Sequence, residues 1–280
     1  MKRIKYLLVI LLTILPDITF AARIDTLSIA SNKMRKEIRT IVITPEATDS
    51  CNRFPVIYLL HGHGENEYSW LEIKPTLKQM CDKDGIIVVC PNGENSWYWD
   101  SPKNKDSQFE TFISKELVNY IDSNYNTIKD RKFRAITGLS MGGHGSLWIS
   151  MRNKDVFGAC GSTSGGVDIV SFPDKWDMEK QLGLYNDNKK TWYFHSVINN
   201  IDKIQDKELA IIIDCGTEDY FFDINNKLHS ILLKKGVSHD YICREGKHNK
   251  TYWNNSIDYQ WLFFKKFFML NQFNVFFSER

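Results

Sequence analysis

Several signals that mark metal-binding, nucleic-acid-binding or repetitive proteins are missing from this chain of 280 residues. It contains no CxxC pair and no HExxH motif, so we expect no metal site and no cofactor. Its 36 Lys and Arg residues nearly balance 34 Asp and Glu residues without forming a basic stripe, so we expect no nucleic-acid partner. Internal repeats, low-complexity tracts and long linkers are also absent. What remains suits one α/β domain with a large core, which we assign to residues 22–280.

Cysteine is also sparse, and its placement favours buried thiols over a disulfide framework. Six cysteines in 280 residues are too few for a disulfide-based scaffold. Cys90, Cys215 and Cys243 fall within strand patterns, where we expect buried thiols that pack as small apolar side chains. Cys51 and Cys81, in a loop and near a helix end, are the pair best suited to a disulfide.

The first 21 residues resemble a secretory signal peptide. Lys2, Arg3 and Lys5 precede an apolar run over residues 6–15, and residues 19–21 offer a cleavage site. An uncleaved membrane anchor is the alternative, but the apolar run is short for a bilayer span. We therefore expect an exported mature chain, periplasmic or extracellular, with no stable membrane insertion after the leader is cleaved.

A short glycine-rich segment, Gly138-Leu139-Ser140-Met141-Gly142, matches the pattern G-x-S-x-G. Residues 132–137 before it alternate polar and apolar side chains, as a short strand does, and residues 145–151 after it suit a buried helix. This context predicts a sharp strand-to-helix turn that projects the Ser140 hydroxyl clear of the sheet. Ser140 is therefore a candidate nucleophile, and the alternative is an ordinary glycine turn.

An acid and a histidine follow Ser140 in the chain. Residues 209–215 form an apolar, β-branched run typical of a buried strand, and Asp219 lies in the loop after it. Residues 239–243 suit a further strand, which leads into the loop that holds His248. The order Ser, Asp, His is that of α/β-hydrolases, and all three follow strand ends, where open α/β sheets place their sites.

Two backbone amides are candidates for an oxyanion hole. Met141 follows the serine at a predicted helix N-terminus, where its N–H is free to stabilise negative charge. The second candidate is the amide of His63, in the segment His61-Gly62-His63-Gly64 that follows a strand over residues 55–60. For the imidazoles of His61 and His63 we favour a structural role in the turn.

Substrate contacts must come from loops. Trp97 and Trp99 lie in the loop after a strand over residues 86–90, where they would stack on a sugar ring or an aromatic acyl group. The alternative is that both pack beneath the loop. Residues 165–204 form a long insertion that we predict to be a small cap. We expect structural roles for His144 and His195.

The C-terminal residues 252–270 are rich in aromatic side chains and predict a helix that packs across the sheet. We assign no function to the tail over residues 271–280.

These motifs together resemble the esterase D and antigen 85 group of α/β-hydrolases, which includes the esterases of carbohydrate esterase family 1. The matching segments are residues 59–64, 69–70, 138–145, 215–219 and 246–249. The resemblance covers residues 35–268. It implies a mostly parallel sheet with helices on both faces, Ser140 as nucleophile, His248 as base and Asp219 as orienting acid. Lys247 departs from the usual small residue at its position, which leaves the pH optimum open.

The resemblance, the leader and the aromatic loops lead to one principal hypothesis. It is a secreted serine carboxylesterase that removes acetyl or feruloyl groups from plant polysaccharide, with acylated carbohydrate or a small ester as its partner. An acyltransferase of the antigen 85 type and an S-formylglutathione hydrolase-like thioesterase are the alternatives, although the second belongs to the cytoplasm, which the leader contradicts. A catalytically silent carbohydrate-binding protein is disfavoured because every catalytic position is filled.

Overall fold

The computed structural model describes residues 22–46, 52–173 and 175–278, with side chains as far as residue 273. The predicted leader over residues 1–21 and Cys51 lie outside these ranges. Export and the pairing of Cys51 with Cys81 therefore stay predictions.

Within the described ranges, eight strands form one sheet, in which all but two neighbouring pairs are parallel. The strands are β1 (Arg23–Ser31), β2 (Lys36–Thr44), β3 (Val56–Leu60), β4 (Ile87–Pro91), β5 (Arg134–Gly138), β6 (Ala159–Thr163), β7 (Ala210–Gly216) and β8 (Asp240–Arg244). Their order across the sheet is β1-β2-β4-β3-β5-β6-β7-β8. This mostly parallel sheet confirms the predicted fold class.

Helices connect the strands and cover both faces of the sheet. They are α1 (Ser69–Ile73), α2 (Leu77–Asp84), α3 (Phe109–Thr111), α4 (Val118–Asn124), α5 (Met141–Arg152), α6 (Met178–Leu182), α7 (Lys189–His195), α8 (Phe222–Lys234) and α9 (Lys250–Ser278). A π-helical segment, Phe112–Leu117, joins α3 to α4. None of the helices in the described ranges is both long and apolar enough to cross a membrane.

Alternate residues of the central strands enter two separate apolar cores. In β3, Val56, Tyr58 and Leu60 belong to the core that also holds α5, α8 and the insertion. Ile57 and Leu59 belong to the core beneath α2 and α9. Because successive strand residues point to opposite faces, the two cores lie on opposite sides of the sheet. Burial on both faces explains why these strands are continuous apolar runs in the sequence.

Helix α9 closes the second core and confirms the predicted C-terminal helix. Its buried apolar residues recur every three to four positions, at Trp253, Ile257, Trp261, Phe264 and Phe268. This spacing keeps them on one face of a helix, so α9 buries a continuous stripe against the sheet.

The described part of the long connection between β6 and β7 contains α6 and α7 with four short 3-10 turns: Ile169–Ser171, Tyr185–Asp187, Val197–Asn199 and Ile201–Lys203. Met178, Leu182 and Trp192 of this insertion are buried and belong to the first core. The insertion is therefore packed onto the body through apolar side chains. Leu184, Tyr193 and Phe194 are exposed on its surface.

Two predictions about local structure need correction. The strand predicted over residues 132–137 is confirmed from Arg134 onwards, but its first two residues are not in the strand, because Arg131–Phe133 form a 3-10 turn in which the Asp130 carboxylate accepts a hydrogen bond from the Lys132 amide. We expect Cys243 to be buried, but it is exposed, because β8 is the edge strand and, among the strands that the structure describes, only β7 pairs with it. Cys90 and Cys215 are buried, as predicted.

Candidate active site

Ser140 occupies the predicted sharp turn between β5 and α5. Its backbone φ of 53° and ψ of −116° fall outside the regions that side-chain-bearing residues usually adopt. Glycine is required around it: a Cβ on Gly142 would lie 2.4 Å from the Leu60 carbonyl oxygen, and one on Gly138 would lie 2.6 Å from the same oxygen. The glycines of the motif therefore allow this turn to pack directly against the end of β3.

Ser140, His248 and Asp219 meet at the C-terminal edge of the sheet. The Ser140 hydroxyl lies 3.0 Å from His248 Nε2. His248 Nδ1 lies 3.0 Å from Asp219 Oδ1 and 2.9 Å from Asp219 Oδ2. The structure thus joins three residues separated by up to 108 positions into one chain of hydrogen bonds.

Aromatic rings surround the His248 imidazole on several sides. The ring centroids of Tyr220, Trp253 and Phe221 lie 4.3, 5.0 and 5.3 Å from that of His248. The Asp219 side chain is fully buried, and its Oδ1 accepts a hydrogen bond of 2.8 Å from the Phe221 amide. These contacts restrict rotation of the imidazole and keep the carboxylate in place.

The loop over residues 61–65, here called the oxyanion loop, is held by hydrogen bonds on both sides of His63. Gly62 N donates to Glu65 Oε2 at 2.9 Å, and Gly64 N donates to Asn95 Oδ1 at 2.8 Å. A Cβ on Gly62 would lie 3.5 Å from Ser140 Cβ, so the loop passes beside the serine. Among the hydrogen bonds of the described residues, the amides of His63 and Met141 donate to no protein acceptor. Both candidate amides are thus available beside Ser140.

The imidazole of His61 has a structural role, as predicted. It is buried, its Nδ1–H donates to the Gly62 carbonyl at 2.7 Å, and its Nε2 accepts from the Gly93 amide at 2.7 Å. Burial lowers the pKa of His61 to about 4, so the ring is neutral at ordinary pH. The neutral ring fastens the oxyanion loop to the neighbouring loop after β4.

The prediction that Trp97 and Trp99 contact substrate is wrong. Their side chains are 1% and 0% exposed, and the two rings stack on each other with their centroids 5.6 Å apart. The left-handed backbone at Trp97 and Tyr98, with φ of 57° and 60°, turns the loop so that these side chains point inwards. Trp99 Nε1 donates to His144 Nε2 at 2.8 Å.

His144 and His195 pack with these tryptophans, in agreement with the predicted structural roles. His144 is fully buried and its Nδ1–H donates to the Gly166 carbonyl at 2.9 Å. Burial lowers its pKa to about 3. The His195 ring stacks on Trp148 with centroids 5.1 Å apart.

Aromatic side chains that the sequence did not single out as site residues stand beside His248. Tyr220 directly follows Asp219 and is 53% exposed. Trp176 of the insertion stacks on Tyr220 with ring centroids 6.0 Å apart. The position of Tyr220 next to the predicted acid is the signal available in the sequence, and Trp176 is connected with the site only as a member of the insertion that we predict to be a cap.

Glu65 is a second carboxyl group near the site that sequence reasoning missed. Burial raises its pKa, while the hydrogen bond from the Gly62 amide and the nearby positive charge of Lys250 oppose that shift.

Lys247, which directly precedes His248, forms an ion pair in which its Nζ lies 3.3 Å from Glu218 Oε2. Within the described part of the chain, no three His, Cys, Asp or Glu side chains are grouped so that they could hold a metal ion.

Comparison with known proteins finds esterases among those that are similar to this chain. A family model described as "Putative esterase" matches residues 31–264. An acetyl esterase of Caldicellulosiruptor saccharolyticus is 26% identical over 229 residues, 74% of this chain and 82% of the relative. An endo-1,4-beta-xylanase/feruloyl esterase of Xylanibacter ruminicola is 37% identical over 122 residues, 41% of this chain but only 17% of that longer protein. A solved ferulic acid esterase is 26% identical, with a TM-score of 0.76, and the match covers 89% of this chain and 99% of that one.

Proposed function

Because this chain belongs to the putative esterase family, we propose that it is a secreted serine carboxylesterase that removes acetyl or feruloyl groups from plant polysaccharide. Its relatives and structural neighbours include acetyl and ferulic acid esterases, S-formylglutathione hydrolases and mycobacterial MPT51, and the predicted resemblance is confirmed. The acetyl esterase and the ferulic acid esterase support an ester hydrolase. The serine nucleophile, the polysaccharide substrate and the export of the protein are our proposals.

The hydrogen-bond chain from Ser140 through His248 to Asp219 is the observation that carries the proposal. A serine hydroxyl is a weak nucleophile and needs a base to take its proton as it attacks. His248 Nε2 lies 3.0 Å from the hydroxyl and would accept that proton. Asp219 would hold the Nδ1–H tautomer and stabilise the imidazolium that forms.

The two free amides complete the chemistry. When Ser140 attacks an ester carbonyl, negative charge develops on the carbonyl oxygen, and the N–H groups of His63 and Met141 would donate to it. Met141 begins helix α5, so the partial positive charge of the helix N-terminus adds to its effect. His248 then returns the proton to the leaving alcohol, and water attacks the acyl-enzyme by the same route. Loss of one such donor typically costs on the order of 3 kcal/mol of transition-state stabilisation.

The aromatic groups beside His248 favour an acyl group or sugar with a flat apolar face. Tyr220 offers an exposed ring, and Trp176 extends this surface on the side of the insertion. Aromatic rings in offset or edge-to-face contact gain free energy beyond their buried area, which suits a feruloyl group. The basic and apolar leader over residues 1–21 supports action outside the cytoplasm, where polysaccharide occurs.

Two other reactions use the same acyl-enzyme. An S-formylglutathione hydrolase of Arabidopsis thaliana is among the relatives, which makes thioester hydrolysis the second candidate. Transfer of the acyl group to an alcohol in place of water is the third, and product analysis with added sugar alcohols distinguishes it from hydrolysis.

The decisive experiment compares four substrates with wild-type protein and Ser140→Ala. They are 4-nitrophenyl acetate, methyl ferulate, acetylated xylan and S-formylglutathione. We expect ester turnover that Ser140→Ala abolishes, covalent labelling of Ser140 by a fluorophosphonate, and little activity on the thioester. Absence of acetate or ferulate release from every ester would exclude the esterase, and faster turnover of the thioester would favour the second candidate.

A further inference from the structure

The insertion between β6 and β7 contacts the side chain of the residue whose amide we assign to the oxyanion hole. Asp177 Oδ2 lies 3.3 Å from His63 Nε2 and 3.3 Å from Asn95 Nδ2. A histidine that faces a carboxylate donates through its N–H, so His63 carries its proton on Nε2 in this contact. Lys180 Nζ, 2.8 Å from Asp177 Oδ1, helps to keep the carboxylate charged.

The backbone around Asp177 is held in an unusual conformation. Trp176 and Asp177 are consecutive residues with φ of 51° and 58°, a left-handed pair that persists only where the surroundings stabilise it. Trp97 Nε1 donates to the Trp176 carbonyl at 3.1 Å, and the Trp176 ring stacks on Tyr220. Asp177 is therefore fixed from both the loop after β4 and the loop after β7.

His63 is the member of the oxyanion loop that most needs a side-chain contact. The amides of Gly62 and Gly64 are fixed by Glu65 and Asn95, but the His63 amide must stay unpaired to receive the substrate. Its N–H direction is set by the peptide plane between residues 62 and 63, and an anchor on the imidazole opposes rotation of that plane. A small misplacement of such a donor is costly, because stabilisation of the developing charge depends steeply on geometry.

We propose that Asp177 is a positioning residue for the oxyanion hole and acts through the His63 imidazole. This inference rests on the proposed function, since it concerns the same reaction. Its consequence is that the insertion, and not the sheet alone, fixes the direction of the His63 N–H.

The test measures kcat and KM for 4-nitrophenyl acetate in five variants. They are Asp177→Gly, Asp177→Asn, Asp187→Gly, His63→Ala and the double substitution of Asp177→Gly with His63→Ala. Asp177→Gly removes the carboxylate but suits the left-handed backbone, and we expect kcat to fall about tenfold with KM within about twofold of the wild type. Asp177→Asn keeps an oxygen acceptor and also tolerates that backbone, so it should retain activity within about threefold. Asp187→Gly is the matched control, because Asp187 is an exposed residue of the same insertion. The thermal unfolding midpoint of each variant reports whether the fold is intact.

A double substitution separates positioning from a general structural effect. If Asp177 acts through the imidazole, Asp177→Gly should cause no further loss of kcat in the His63→Ala protein. A further tenfold loss would assign the effect to Asn95 or to packing of the insertion and overturn the proposal. Full kcat in Asp177→Gly would overturn it as well. An inert wild-type protein would instead overturn the proposed function, and this inference with it.

Discussion

The contacts of Asp219 decide which nitrogen of His248 faces Ser140. Both carboxylate oxygens lie within 3.0 Å of His248 Nδ1, and a carboxylate can only accept a hydrogen bond. Nδ1 must therefore carry the proton, which leaves the lone pair on Nε2 directed at the Ser140 hydroxyl. In the reaction that we propose, the fully buried carboxylate would act by orientation and charge and would not accept the proton.

Asp219→Asn is expected to lower kcat roughly a thousandfold to ten-thousandfold. The amide NH₂ would donate to Nδ1 and favour the tautomer in which Nε2 carries a proton and cannot accept one from the serine. Steady-state kinetics with 4-nitrophenyl acetate measures the effect, and circular dichroism checks the fold. A loss of less than tenfold would contradict the role that we assign to Asp219.

Two histidines buried as neutral rings connect stability to pH. Burial lowers the pKa of His61 to about 4 and that of His144 to about 3, whereas in the unfolded chain each is near 6.5. Below pH 6.5 the unfolded state therefore binds more protons than the folded state. The stability contributed by each neutral ring is present above pH 6.5 and is lost as the pH falls towards the folded pKa.

We predict that the free energy of unfolding falls by up to about 2 kcal/mol for each of these rings between pH 7 and pH 5. Urea titrations at several pH values measure this slope. His144→Gln should show a shallower dependence, because one titrating ring has been removed. An unchanged slope in that variant would show that other groups dominate.

Helix α9 belongs both to the core of the fold and to the surroundings of the candidate site. Its buried stripe closes the core under one face of the sheet, and its first turns carry Trp253 against the His248 ring. Trp253 Nε1 also donates to Ser164 Oγ at 3.3 Å. The helix thus contributes both to stability and to the placement of the His248 imidazole.

Phe264→Ala is expected to destabilise the protein by about 3–5 kcal/mol, because the ring is fully buried and its removal leaves a cavity. Leu262→Ala is the matched control on the same helix. Its side chain is 50% exposed, and we expect a change within about 0.5 kcal/mol. Denaturant unfolding distinguishes the two, and equal effects would contradict the orientation of α9.

The sequence predicted elements whose signals are local. The β-branched run over residues 209–215 and the glycine turn at Ser140 depend on neighbours in the chain, and both are where we expected them. The direction of Trp97 was not predictable, since a left-handed backbone and the packing of a distant helix turn it inwards. Two further features could not be predicted from local sequence. The exposure of Cys243 depends on the order of the strands in the sheet, and the contact of Asp177 with His63 depends on how the insertion packs against the body.

The candidate site is formed by the loops that follow β3, β5, β7 and β8, because these strands end at the same edge of the sheet. This convergence explains why Ser140, Asp219 and His248 are placed together although long segments separate them. Loops at this edge vary without cost to the sheet, so the insertion before β7 is free to adapt the site to a substrate. The predicted leader supports our proposal that this substrate is an extracellular polysaccharide.

We predict that expression of the full chain in a bacterium yields a processed protein in the periplasm or medium. Cleavage after Ala21 would leave Ala22 as the first residue, since residues 19–21 offer the cleavage site. Intact-mass measurement identifies the new terminus. Unprocessed protein recovered with the membrane would support the anchor alternative instead.

Strand β8 has a neighbouring strand on one side only in the part of the chain that the structure describes, and the loop that follows β8 carries His248. Its residues are half-buried or exposed, unlike those of β3 to β6. Edge segments with few buried contacts open at lower cost than the centre of a fold. Warming should therefore inactivate the enzyme reversibly before the molecule melts, with activity at temperature declining several degrees below the midpoint followed by circular dichroism. Coincident curves would mean that the histidine stays in place until the sheet itself comes apart.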